Sequence, residues 1–223
     1  TGVHTTPDGE VPKIIQIEGG YESGMALMNS GELYHWGYGG HGQTGDASTS
    51  NRSYPTRVGG SDTNVYLAAN DSNHVFRSVR IKRCFISNWN GYNDNTHSCY
   101  AIDEDGELWS WGYNGYGQLG NGNTSNQSVP VKIDKATNFN NSEIEAFWTC
   151  GDAYVMCLAY TKEKKLYAWG YNNNGQLGIG NTSNQSSPQE VTTVTFDGTG
   201  VGEIKKVQML SRSSDLSAGI LTE

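Results

Sequence analysis

The sequence predicts an all-β chain folded as a β-propeller, and three observations carry that prediction. A kernel recurs as GELYHWGYGGHGQTG (31–45), GELWSWGYNGYGQLG (106–120) and KKLYAWGYNNNGQLG (164–178). Around each tryptophan, residues alternate with the two-residue period of a strand, and no segment shows a long helical period. Only 35% of the chain is hydrophobic, while 29 of its 223 residues are glycine, as many short strands and tight turns require. A unit of this size cannot bury its apolar face alone, so the copies must stack on one another.

Each repeat opens on a lead-in strand marked by Ile14 and Ile17, by Ile144 and Phe147, or by Ile204 and Val207. A second strand follows, Met25 to Met28 or Cys99 to Ile102, and Ser30-Gly31 or Asp105-Gly106 then supplies a hairpin turn. The third strand is Leu33-Tyr34-His35-Trp36, Leu108-Trp109-Ser110-Trp111 or Leu166-Tyr167-Ala168-Trp169. It puts two aromatics on one face and a leucine on the other, as expected of a small sheet sandwiched between neighbours. Pro55, Pro130 and Pro188 stand eleven residues after Thr44, Leu119 and Leu177. Counted from Pro12, the prolines lie 43, 75 and 58 residues apart, so a constant kernel carries connections of variable length. The repeat units are therefore expected at about 13–55, 56–130, 131–188 and 189–223, the last incomplete, with 1–12 as the tail of a preceding repeat. The chain reads as an excerpt of a longer ring or array.

The kernel W-G-Y-x-x-x-G-Q-x-G, with its upstream A-[LI]-x-x-x-G hairpin and downstream proline, resembles the regulator of chromosome condensation repeat family. The resemblance implies a propeller of four-stranded blades, with about half of a seven-bladed ring present. It marks Trp36, Gly37, Gln43, Trp111, Gly112, Gln118, Trp169, Gly170 and Gln176 as the structural signature. The composition is similar to that of prokaryotic or bacteriophage members. Departures are Thr44 for the usual leucine, Lys165 for the turn glycine of the third kernel, and a long insertion in the second unit.

A net charge of -8 argues against a nucleic-acid partner, and no apolar run is long enough for membrane insertion by a helix. Cys84, Cys99, Cys150 and Cys157 show no metal-ligand spacing, and the five histidines form no zinc-binding helix motif, so neither metal nor cofactor is expected. Cys99 and Cys157 stand twelve residues before Trp111 and Trp169, where Gly24 precedes Trp36, and read as small buried strand residues. His35 takes the slot of Ser110 and Ala168 and reads as a packed side chain. Gly37 to Gly42 fits G-x-G-x-x-G, but its sister copies lose the middle glycine and no helix follows, so turns are expected there. Asp103-Glu104-Asp105 reads as a charged hairpin tip, and the recurring glutamines as amides that satisfy loop backbone.

No nucleophile motif stands out, so the chain is not expected to be an enzyme. Asn, Gly, Ser and Tyr dominate the loops, a chemistry of adaptable hydrogen bonds on rigid aromatic anchors. That points to a binding module for a protein or surface glycan, placed outside the cell or on a virus particle. The resemblance to prokaryotic or bacteriophage members implies a structural protein of tail-fibre or adhesin type within a larger assembly. The segment Gly59 to Ser98 is the candidate surface, with completion of its own blade as the alternative reading, and the partner-binding candidates are Trp89, Tyr92, His74, His97, Tyr116 and His41. The resemblance offers two alternatives, a guanine-nucleotide exchange factor for a small GTPase and a protein inhibitor of a secreted enzyme. A light-sensing role is not expected, because Trp36, Trp111 and Trp169 occupy the ordinary structural slot.

Overall fold

A computed structural model describes residues 11–20, 22–59, 76–87, 96–150 and 154–192, with Arg77 by its backbone, together with the backbone of 204–210 and 217–222. Three four-stranded antiparallel sheets follow one another along the chain. The first holds β1 (Ile14–Gly19), β2 (Ser23–Met28), β3 (Leu33–Gly37) and β4 (Arg52–Arg57), side by side in chain order. The second repeats this with β5 (Ile81–Ile86), β6 (Ser98–Asp103), β7 (Leu108–Gly112) and β8 (Gln127–Ile133). The third holds β9 (Ile144–Cys150), β10 (Met156–Thr161), β11 (Leu166–Gly170) and β12 (Gln185–Glu190). A further antiparallel pair, β13 (Ile204–Leu210) and β14 (Ser217–Thr222), stands last. This is the architecture of a partial β-propeller.

The lead-in strand, the hairpin and the tryptophan strand are thus β1 to β3 and their counterparts. The fourth strand is where the recurring proline falls. Pairing of β7 with β8 passes from Ser110↔Val131 directly to Gly112↔Gln127, and Pro130 lies in the skipped stretch. Pro55 and Pro188 lie in the same irregularity of β4 and β12. An outermost strand with a bulge tolerates a residue that cannot donate to the ladder. The β2–β3 and β6–β7 turns place Gly31 and Gly106 at φ 83° and 73°; in the third copy Lys164, rather than the expected Lys165, takes that position at φ 64°, two residues before its strand as the glycines are. Among the described residues, helix is confined to single turns, Phe76–Ser78 and Lys135–Asn138, the latter capped by Asp134.

The core lies between sheets. Met25, Leu27 and Leu33 of the first pack with Cys84, Cys99, Trp109 and Trp111 of the second. Tyr100, Ile102 and Leu108 of the second pack with Phe147, Cys157, Tyr167 and Trp169 of the third. The aromatics of the second and third kernel strands therefore face the preceding sheet, and the leucines of the first and second face the following one. Ile81 and Cys84 of β5, and Ile144 and Phe147 of β9, are buried by the sheet before them. Their counterparts in β1, Ile14 and Ile17, are 55% and 65% exposed. Among the described residues no helix is long and apolar enough to cross a membrane.

Candidate functional site

Antiparallel order brings the β1–β2 and β3–β4 connections of every sheet to one end, and the hairpin turns and crossovers to the other. The two ends differ in chemistry. On the hairpin end, exposed charges pair: Arg80 with Glu104 at 3.2 Å, Lys162 with Glu143 at 2.6 Å, Lys164 with Glu145 at 2.8 Å and Lys165 with Glu190 at 3.0 Å. On the kernel-loop end, stretches 113–126 and 171–184 contain no charged residue.

These loops are held from within. Gln43, Gln118 and Gln176 accept through Oε1 from the backbone N–H of His41, Tyr116 and Asn174, at 2.8, 2.9 and 3.0 Å. The main-chain carbonyls of the first two serve the next sheet: the Trp111 indole donates to Gln43 O at 2.8 Å and the Trp169 indole to Gln118 O at 2.9 Å. Gly120 has φ 72°, and a Cβ there would stand 2.7 Å from Trp169 Nε1, so glycine both makes the turn and admits the indole. Asn114, fully buried, donates through Nδ2 to Asn123 O and Ser125 O at 3.0 Å each and accepts from Leu119 N at 2.9 Å. Asn172 repeats these bonds with Asn181 O, Ser183 O and Leu177 N. The first loop has Gly39 in that slot, and there Asp46 organises the turn, accepting from Thr44 Oγ1, Ser48 N and Arg52 Nε. Gly37 to Gly42 forms successive turns, with Gly42 N donating to Gly39 O and Gly45 N to Gly42 O.

On this frame the loop side chains form a continuous row of rings. Tyr38 meets His41 at 6.1 Å between centroids, His41 meets Tyr113 at 5.2 Å, and Tyr113 meets Tyr116 at 6.3 Å. Tyr116 then touches Tyr171 at 5.2 Å and Tyr154 at 5.4 Å, and those two lie 4.4 Å apart. Six rings thus cross all three sheets; Tyr154 is 49% exposed and the other five are half-buried.

Of the expected partner-binding residues, Tyr116 and His41 lie in this row. Trp89, Tyr92 and His74 fall outside the described residues. His97 is corrected: it is buried rather than displayed, with Nε2 2.9 Å from Ser23 Oγ, because it leads directly into β6. The segment Gly59 to Ser98 is no single surface insertion and agrees with the alternative reading, since it contains β5, the first strand of the second sheet. Asp103 is not a solvated tip charge; it is buried and accepts from the Trp109 indole and Glu107 N at 2.9 Å each. Sequence reasoning missed Asn114, Asn172 and Tyr154. The Tyr-Asn pair recurring in two kernels was the available signal for the asparagines, whereas Tyr154 joins the row only through tertiary contact.

All four cysteines are free and buried. Cys99 and Cys157 sit opposite Trp111 and Trp169 in register, as Gly24 sits opposite Trp36. Distance in sequence hid one further grouping: His35, His97 and Cys99 bring their donor atoms within 4.8 Å of one another. The two imidazoles stack at 6.0 Å, and burial pushes His35 down to about 4 and His97 down to about 3.

Residues 30–76, 105–158 and 164–209 match the family described as the regulator of chromosome condensation (RCC1) repeat, and a second description of that repeat matches 14–43. The chain belongs to the RCC1 repeat family. Curated relatives of this RCC1-repeat chain include the ultraviolet-B receptor UVR8 of Arabidopsis thaliana, 27% identical over 88% of this chain and 52% of the receptor. Another is the human E3 ubiquitin-protein ligase HERC2, 26% identical over 81% of this chain and 3% of the ligase. The chain thus spans about half of the first and a small part of the second. Among solved structures, Prp20p from Saccharomyces cerevisiae superposes with a TM-score of 0.57 at 18% identity, covering 81% of this chain and 38% of Prp20p. That likeness shows the fold.

Proposed function

We propose that this chain is a non-catalytic binding module that docks a protein partner on its kernel-loop end. The observation that carries the reading is the row of six rings, from Tyr38 to Tyr154, on an end whose second and third loops are uncharged. Tyrosine offers a large amphipathic contact at low conformational cost, and buried asparagines fix the loops before any partner arrives. Because the rings pack edge-on or tilted against one another, they offer a corrugated surface suited to side chains more than a flat platform for a sugar ring. The fold-related Prp20p is described by its binding to Gsp1p and histones, and yeast RCC1 (Prp20) in complex with Kap60, which supports protein docking as the use of such a surface. A virion or cell-surface setting belongs to the same proposal, supported by the Asn/Ser/Thr-rich loops. The exchange-factor reading rests on the family alone.

A photo-crosslinking residue placed at Tyr116, and separately at Glu104 on the ion-paired end, tests the docking face. Crosslinks to protein from Tyr116 alone are expected, and their loss in Tyr171→Ala confirms the row. Equal crosslinking from both ends overturns the reading. Binding to a glycan array that Tyr116→Ala abolishes, with no protein crosslink, replaces the partner class. Faster nucleotide release from an added small GTPase would move the function to exchange.

A further inference from the structure

At the boundary between the first two sheets the repeat departs from itself in two facing places. His35 on β3 stands where β7 has Ser110 and β11 has Ala168. His97, just before β6, stands where the first and third repeats have Glu22 and Val155. Between them lies Cys99, whose counterpart at the next boundary is Cys157. At that second boundary the counterparts of His35 and Cys99 are bonded: Ser110 Oγ donates to Leu119 O at 2.8 Å, and Cys157 Sγ meets Tyr100 Oη at 3.2 Å. At the first boundary His35 is not. His35 is completely buried and neither ring nitrogen has a hydrogen-bond partner. A buried polar atom without a partner costs about 1–3 kcal/mol, so such an imidazole calls for a ligand.

We propose that His35, His97 and Cys99 form a buried site for a d10 transition-metal cation, Zn2+ or Cu+. Two imidazoles and a thiol are the donors these ions prefer over oxygen-loving cations. Their donor atoms lie within 4.8 Å of one another, and closing on one ion requires about 3.3–3.7 Å between donors, a movement of about 1 Å by side-chain rotation. Ser23 Oγ, 2.9 Å from His97 Nε2, becomes the outer partner that orients this ring and leaves Nδ1 for the metal. On binding, the Cys99 S–H bond breaks, its proton leaves to solvent and a sulfur–metal bond forms, with no change of oxidation state. The ligands come from both sheets, so the ion would join them. Cu+ is neutralised by one thiolate and accepts three ligands; Zn2+ retains one positive charge and takes a water as its fourth.

The chain is refolded under reducing, anaerobic conditions with Zn2+, with Co2+ as the spectroscopic substitute for Zn2+, or with Cu+, and then dialysed against a competing chelator. The wild type is expected to retain about one ion of Zn2+ or Cu+ per chain, with a rise in Tm; retention of Zn2+ is matched by thiolate-to-Co2+ charge-transfer absorption in the near ultraviolet. His35→Ser and His97→Val import residues that the next repeats already carry at these positions, and each should lower retention at least tenfold. Cys99→Ala, small like Gly24, provides a third variant and removes the charge-transfer band. Which ion is retained separates the zinc arm from the copper arm. No retention of either metal by the wild type overturns the proposal, as does equal retention by the wild type and any folded variant of the three.

Discussion

The indole-to-carbonyl bond between sheets makes the cost of losing one kernel tryptophan calculable and different from the next. Trp169 is fully buried, donates to Gln118 O at 2.9 Å and packs against Phe147 and Phe139 at 5.9 and 6.1 Å between ring centroids. Trp169→Phe removes that hydrogen bond, worth about 1 kcal/mol, and part of the buried ring, worth about 1–2 kcal/mol with the void it leaves. The carbonyl is not orphaned, since Tyr100 Oη and Cys157 Sγ still reach it at 3.1 and 3.4 Å, which holds the total near 2–3 kcal/mol. Trp36 carries the same motif in a different setting: half-buried, folded across Gly24, where any Cβ would collide with its ring. Trp36→Phe in this chain should cost no more than about 1 kcal/mol. Urea unfolding followed by far-ultraviolet circular dichroism measures both without relying on tryptophan emission. Equal costs for the two substitutions would refute the assignment of the tryptophan's role to contact between sheets.

Asn114→Ala should cost about 2–3 kcal/mol, because it leaves the buried Leu119 N–H without its acceptor and frees the 121–126 loop; urea midpoints set against Asn126→Ala check this. Lys164→Gly relieves a left-handed conformation at φ 64°, a penalty of about 1 kcal/mol, against an exposed ion pair with Glu145 worth less, so Tm should rise slightly. Burial pushes the Cys150 thiol up to about 12 from 9.0, so iodoacetamide at pH 8 should label it only after unfolding. The folded form holds that proton when the unfolded form has lost it. Its contribution to stability is therefore intact below about pH 9 and declines as pH rises toward 12, which unfolding midpoints across that range would show.

Much of the fold was legible because its signals are local. Period-two alternation around Trp36, Trp111 and Trp169 and the turns at Gly31 and Gly106 depend only on near neighbours, and each became the strand or turn it announced. The outer strands were harder to read, since Pro55, Pro130 and Pro188 argue against a strand unless a bulge on its open side excuses them. For the candidate site, Tyr116 and His41 were visible as loop aromatics, but their joining into a row was not. His97 looked like a loop residue and proved to be core, because burial there is decided by the sheet on the other side.

The sequence by itself determined a repeating unit, its strands, its family and a glutamine that ties each loop, all from spacings of a few residues. Only the tertiary structure decided which unit touches which. Trp111 reaches Gln43 across 68 positions and Gln16 bonds Cys84 O across another 68, while His35 meets His97 and Cys99 from a neighbouring sheet. The kernel spacing is constant, but the connections between kernels vary in length, so no sequence period aligns residues that face each other across a sheet boundary. Stacking alone sets those pairs, and with them both the ring row and the buried histidine–cysteine group.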